Sequence, residues 1–240
     1  LSKYKCILDD YRKNEHSCTE LCTHRIFLHG LDGNTGRVGR SGVPLHYQYT
    51  TPKSSPVRED KPDIYRAVDA YVETFKRGDV KSLYLWSKSP GTGKTTTASA
   101  IMNAWIIYDY LESLRNKKQP NEDSTVFFDV NAFQTKFNLH SMANNDEGMV
   151  SIQEEIRRTQ SADFAVLDDV GVRGSSEAFR SYLHDIVNYR VTNELPTVYT
   201  SNFTIEGMKD VYDERLYDRM REQCISFHFE GESFRGVRRK

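Results

Sequence analysis

The segment Ser87-Lys88-Ser89-Pro90-Gly91-Thr92-Gly93-Lys94-Thr95 constrains this chain more than any other part of it. It follows a short apolar run, Ser82-Leu83-Tyr84-Leu85-Trp86, that reads as a buried strand, and it opens a helical stretch from about Lys94 to Asn116. A strand, a glycine loop and a helix in that order turn backbone N–H groups onto the terminal phosphates of a nucleotide. Gly91 and Gly93 let the backbone approach the anion without a side-chain clash. Lys94 is expected to reach the β- and γ-phosphates and the Thr95 hydroxyl to ligate magnesium, with Pro90, Gly91, Thr92, Gly93 and Thr96 as further nucleotide contacts. The usual pattern, G-x-x-x-x-G-K-[ST], has glycine where this chain has Lys88. The alternative, a glycine turn in an unrelated loop, does not explain why strand, loop and helix fall in order.

A second apolar run ends in paired acids: Phe164-Ala165-Val166-Leu167-Asp168-Asp169. A strand carries both to the carboxyl edge of a sheet, where a phosphate loop also lies. Asp168 is the expected magnesium residue, and Asp169 the residue that orients or activates the attacking water. The competing reading is a surface Asp-Asp turn. Further on, Thr200-Ser201-Asn202-Phe203 closes another apolar run. An amide there would report the γ-phosphate, which makes Asn202 a sensor candidate; a helix cap or turn is the alternative, since Asn favours both. In Asp213-Glu214-Arg215-Leu216-Tyr217-Asp218-Arg219-Met220, Arg215 and Arg219 lie four apart on one helical face. The pattern alone favours a surface helix paired with Glu214 and Asp218.

Helix and strand signals alternate from Asp63 onward. Ile64, Val68, Tyr71, Val72 and Phe75 follow helical spacing up to a stop at Gly78. Thr125–Val130, Phe164–Leu167, Pro196–Ser201 and Ile225–Phe229 read as further strands. Phe179, Leu183, Ile186, Val187 and Val191 mark one face of a long helix. Strands separated by helices predict an α/β fold, a mainly parallel sheet covered on both faces. Residues 141–149 read as a mobile loop. The expected organisation is a small module over 1–48, a proline-bearing linker or surface crossing over 49–62, and the nucleotide-binding domain over 63–240. The 240 residues leave room for one full-sized domain and a small appendage. No apolar stretch approaches the roughly 20 residues that span a bilayer, and Leu1–Cys6 lack the apolar core of a signal peptide. The expectation is a soluble cytoplasmic protein without a membrane role. A net charge of −1 argues neither for nor against nucleic acid, although Arg235-Gly236-Val237-Arg238-Arg239-Lys240 is locally basic.

Taken together, Pro-Gly-Thr-Gly-Lys-Thr, Val-Leu-Asp-Asp-Val-Gly, Leu-Pro-Thr-Val-Tyr-Thr-Ser-Asn-Phe and Glu-Arg-Leu-Tyr-Asp-Arg-Met resemble the bacterial and phage helicase loaders of the DnaC/DnaI type, which are AAA+ ATPases. The resemblance covers roughly residues 62–236. It implies ATP and Mg2+ as ligands, Asn202 as the first sensor, Arg215 as an arginine finger acting on a neighbour's ATP, and Arg235 as the second sensor. It also implies self-association through the ATPase domains, a DnaB-type replicative helicase as partner, single-stranded DNA as the destination, and no separate helical lid. The bacterial host cytoplasm is the implied location, with a phage origin open. Many relatives have Glu where this chain has Asp169; the shorter acid predicts slow hydrolysis. A similar ATPase that regulates a transposase in insertion-sequence transposition is the alternative within the same fold.

The first section carries Cys6, Cys18 and Cys22. In several relatives this region is a zinc-bearing module that grips the helicase. Three thiolates with His16, His24 or His29 would give the four ligands of tetrahedral Zn2+; three ordinary cytosolic thiols are the alternative. Lys136, Phe137 and His140 are weak candidates for DNA contact, because basic residues interleaved with aromatics suit single strands.

Overall fold

A computed structural model of the chain describes residues 5–11, 19–121, 123–143, 145–171, 176–210 and 214–231. Its helices are α1 (Thr23–His29), α2 (Arg37–Arg40), α3 (Pro62–Thr74), α4 (Lys94–Arg115), α5 (Val130–Met142), α6 (Asp146–Ser161), α7 (Glu177–Thr192) and α8 (Glu214–Gln223); its strands are β1 (Ser82–Trp86), β2 (Thr125–Asp129), β3 (Phe164–Asp168), β4 (Thr197–Ser201) and β5 (Cys224–His228). Backbone contacts divide the chain into two compact units. One is Leu1–Val80 with Thr95–Phe127, the other Lys81–Lys94 with Phe128–Lys240.

The first unit is organised by α4. Ala98, Ile101, Met102, Asn103 and Ile106 have no exposed surface, so the middle of this helix, where small and apolar residues dominate, is buried on most sides. Asn103 Nδ2 donates to the Tyr47 and Thr50 carbonyls, both at 2.8 Å, and the Tyr65 hydroxyl bridges Ser55 to Thr97 on α4. Residues 49–62, expected as a linker, are therefore tied into this unit. Arg37, 1% exposed, bonds Asp109 of α4 and Ser124. α3 runs into a single 3-10 turn and stops at Gly78, whose φ of 73° is left-handed. Gly39 has a different reason: a Cβ there would lie 1.7 Å from the Asn34 carbonyl oxygen.

His29 closes α1 fully buried. It accepts a hydrogen bond from the Ile7 amide at 3.1 Å through Nε2 and stacks on Tyr49 at 4.6 Å. Burial, helped by the Arg25 charge, lowers its pKa from 6.5 to about 4. The neutral ring is the native form, so unfolding takes up a proton at pH values between these two. Stability is then full above pH 6.5, falls as pH drops towards 4, and levels off below. The depth of that fall is roughly 3 kcal/mol. Urea unfolding at pH 7.5 and pH 4 measures it. His29→Gln should flatten the pH dependence while keeping an acceptor for Ile7; an unchanged slope would refute the assignment.

The strand order of the sheet is β2-β3-β4-β1-β5, and β1, β3, β4 and β5 lie wholly in the second unit. β1 pairs in parallel with β4 and β5, and β3 with β4. β3 and β4 are buried along their whole length, while the edge strand β5 is half-exposed. Within 141–149, expected as a loop, most of the described residues are helical. α5 continues to Met142 and α6 starts at Asp146, with the Asn145 side chain capping the Gly148 amide at 2.9 Å. Asn-Asn-Asp signals a helix start as well as a turn, and Asp146 and Glu147 favour the positive end of the helix dipole.

Arg190 of α7 is buried with no exposed surface and, among the described residues, no carboxylate bound to it by hydrogen bonds. Its Nη1 donates to the carbonyls of Thr159, Gln160 and Ala162, its Nη2 to Pro196, and its Nε to the Thr197 hydroxyl. The last turn of α6 offers the negative end of its dipole to this guanidinium. Burial lowers the Arg190 pKa to about 10, against Tyr199 and Asp163, which raise it. Arg190 therefore fixes the starts of β3 and β4, whose far ends carry Asp168 and Asn202.

Candidate functional site

β1 delivers the chain to the glycine loop. Gly91 and Gly93 adopt φ of 75° and 98°, left-handed conformations that side-chain-bearing residues rarely take. Lys88, where the motif usually has glycine, is exposed. Lys94 is 7% exposed, and its Nζ donates to the Ser89 carbonyl at 3.4 Å and to Asn202 Oδ1 at 3.0 Å. Thr92 is fully buried, and its Oγ1 has no hydrogen-bond partner among the described residues. A buried hydroxyl inside a loop of backbone donors fits an anion.

β3 and β4 bring the acids and the amide to the same place. Asn202 Nδ2 donates to Asp169 Oδ1 at 3.0 Å, so one amide links Lys94 to Asp169. Asn131, at the start of α5, donates to the other oxygen of Asp169 at 2.7 Å. Asp169 has a φ of 62°, a left-handed conformation that Asp tolerates better than most residues. The Asp169 amide donates to Thr200 Oγ1 at 2.8 Å, and that hydroxyl donates to Asp168 Oδ1 at 2.6 Å. Ser201 Oγ donates to the Val170 carbonyl at 2.8 Å, and the Val170 amide to the Thr200 carbonyl at 2.8 Å. The Tyr84 hydroxyl donates to the Phe203 carbonyl at 2.9 Å, which holds the turn after β4; burial raises its pKa, so it stays a donor.

Sequence reasoning located Lys94, Asp168, Asp169 and Asn202, and these converge. It missed Asn131 and Thr200. Asn131 stands outside any motif. Thr200 lies inside one, but its side chain gave no sign of facing the acids. Arg215 is exposed on α8, and Arg219 reaches the Thr192 hydroxyl at 3.1 Å. Arg235 lies outside the described residues.

Other expectations need correction. Among the described residues no group of three His, Cys, Asp or Glu side chains could hold a metal ion. Cys6 is buried, Cys22 is half-buried, the Nδ1 of His24 bonds the Tyr110 hydroxyl at 2.7 Å, and the Nε2 of His29 is occupied by Ile7. Cys18 and His16 lie outside the described residues. The described residues therefore give zinc no support. Phe137 is core, 5% exposed and packed against Phe179 and Tyr182, and Lys136 pairs with Glu155 at 2.8 Å, so neither suits DNA. No described helix is long and apolar enough to cross a membrane.

The carboxylate of Asp168 is a hard oxygen donor of the kind Mg2+ takes, commonly alongside substrate phosphates, and Thr95, in the first unit, offers a hydroxyl of the same class. The second unit thus brings a buried lysine, an amide and an acid together.

No protein-family model matches the chain. The replicative helicase loader DnaC of Buchnera aphidicola subsp. Schizaphis graminum is 26% identical over 202 residues, 82% of this chain and 74% of that protein. The replicative helicase loader DnaC of Escherichia coli K12 is 28% identical over 185 residues, 76% of this chain and 67% of that protein. A crystal structure of the DnaC helicase loader superposes with a TM-score of 0.56 at 18% identity, across 78% of this chain and 100% of that one. In sequence along most of its length the chain is similar to the DnaC-type replicative helicase loaders, and its five-stranded sheet has the P-loop fold of the DnaC structure.

Proposed function

We propose that this chain binds and slowly hydrolyses ATP in order to load a DnaB-type replicative helicase onto single-stranded DNA in the bacterial cytoplasm. The observation that carries the reading is the link Lys94–Asn202–Asp169, which joins three motifs up to 108 residues apart through bonds of 3.0 Å. In this reading residues 90–96 hold the triphosphate and Lys94 draws charge from its terminal phosphates. Thr95 and Asp168 hold Mg2+, which when bound offsets the charge that develops on the phosphoryl oxygens. Asp169 takes the proton of the attacking water, or aligns that water, once its amide bonds rearrange. Asn202 exchanges its contact with Lys94 for one with the γ-phosphate. Arg215, exposed on α8, is assigned the arginine-finger role on a neighbouring copy's ATP, which makes self-association part of the mechanism, and Arg235 the second-sensor role. The first section, 1–48, is the proposed helicase-gripping module, 49–62 its connection, and 63–240 the ATPase domain.

The test combines the purified chain with a purified DnaB-type helicase and single-stranded DNA. The expected result is a stable complex with the helicase, with ATP turnover that rises when DNA is added. Absence of any helicase complex, or a tight complex with a transposase instead, would overturn the loader reading.

A further inference from the structure

The structure assigns to Thr200 a positioning role shared by both acids, through which it sets the grip on the divalent cation; the inference rests on the ATP–Mg2+ reading above. Thr200 is 1% exposed. Its single hydroxyl lies 2.8 Å from the Asp169 amide and 2.6 Å from Asp168 Oδ1. The direction of both bonds is fixed by chemistry. An amide N–H can only donate and a carboxylate can only accept, so the hydroxyl receives from Asp169 and passes its own proton towards Asp168. The second bond is charge-assisted and short, the stronger class of hydrogen bond.

Two consequences follow for the acids. The bond to Asp168 Oδ1 fixes the rotation of that carboxylate, and with it the direction in which the carboxylate faces a cation. The bond from the Asp169 amide, beside that of the Val170 amide to the Thr200 carbonyl at 2.8 Å, holds the left-handed turn that aims the Asp169 side chain at Asn202 and Asn131. Valine has nearly the shape of threonine and supplies neither bond. Serine supplies both. Thr200 touches neither nucleotide nor water in this role; it acts through Asp168 and Asp169.

The test measures the affinity of a fluorescent ATP analogue twice, in EDTA and in excess Mg2+, for wild type, Thr200→Val and Thr200→Ser. The ratio of the two affinities isolates the cation, because a purely structural defect weakens both alike. Thr200→Val is expected to bind in EDTA within about twofold of wild type and to lose about tenfold of the gain from Mg2+, by analogy with the loss on removing a partner that orients a metal ligand. Thr200→Ser should keep the gain. If Thr200→Val does not fold, Thr200→Ala against Thr200→Ser gives the same comparison, since both lack the methyl group and differ only in the hydroxyl. A Mg2+ gain that is equal in the variants with and without the hydroxyl overturns the role of Thr200. A wild-type protein that shows no Mg2+ gain overturns the nucleotide reading itself.

Discussion

Lys94→Ala should lose at least about a hundredfold in ATP turnover, the scale seen when one electrostatic donor is taken from a phosphoryl- or acyl-transfer site. The expectation rests on where Lys94 sits. It is 7% exposed, at the join of loop and helix, and its amine already bonds two oxygens, of Ser89 and Asn202. No other lysine or arginine occurs between Ser89 and Arg115. Lys88→Ala is the matched control. It removes the same charge from an exposed position in the same loop, and its effect should stay within about threefold, since exposed charges interact weakly through water. Asp169→Asn separates binding from chemistry: the analogue should still bind, with turnover falling about a hundredfold or more, the range for a lost general base. Phosphate release and analogue binding measure all three. Turnover in Lys94→Ala equal to that in Lys88→Ala would rule out the phosphate role.

Arg190→Met should destabilise the second unit by roughly 3–5 kcal/mol, since each buried acceptor left without its donor costs about 1–3 kcal/mol and relaxation recovers part of it. The substitution leaves the carbonyls of Thr159, Gln160, Ala162 and Pro196 and the Thr197 hydroxyl without the guanidinium that pairs them. In a chain of this length each kcal/mol moves the melting temperature by roughly 2–4 °C, so a fall on the order of 10 °C is expected by circular dichroism or calorimetry. Arg190→Lys should rescue little, because one ammonium cannot reproduce a planar fork of donors. A melting temperature within about 2 °C of wild type would show that water or the helix ends satisfy these carbonyls instead.

These two residues mark what a sequence discloses. Lys94 is legible because its chemistry needs neighbours in the chain: glycines just before it and a hydroxyl just after. Asp168, Asp169 and Asn202 are legible for a related reason, since each ends an apolar run, and a run of that kind is a strand. Arg190 leaves no such trace. Phe179, Leu183, Ile186, Val187 and Val191 announce the buried face of α7, yet a lone arginine beside them looks like a solvated residue until the carbonyls around it are seen. Thr200 and Asn131 stay hidden because their partners are 31 to 38 residues away in the chain. The cysteines show the opposite error. Their crowding in the first 22 residues suggests a metal, but the described part of the fold turns Cys6 inward and commits His24 and His29 to other partners.

The left-handed backbone at Asp169 also shapes what mutation can do at that position. Asparagine is one nucleotide change away from aspartate and is at home in the same conformation, so a lineage can silence the acid without disturbing the turn. Glutamate would reach further but takes a φ near 62° less often than aspartate or asparagine, although Glu194 holds a φ of 53°. Proteins descended from this one would more readily become silent nucleotide binders than faster enzymes.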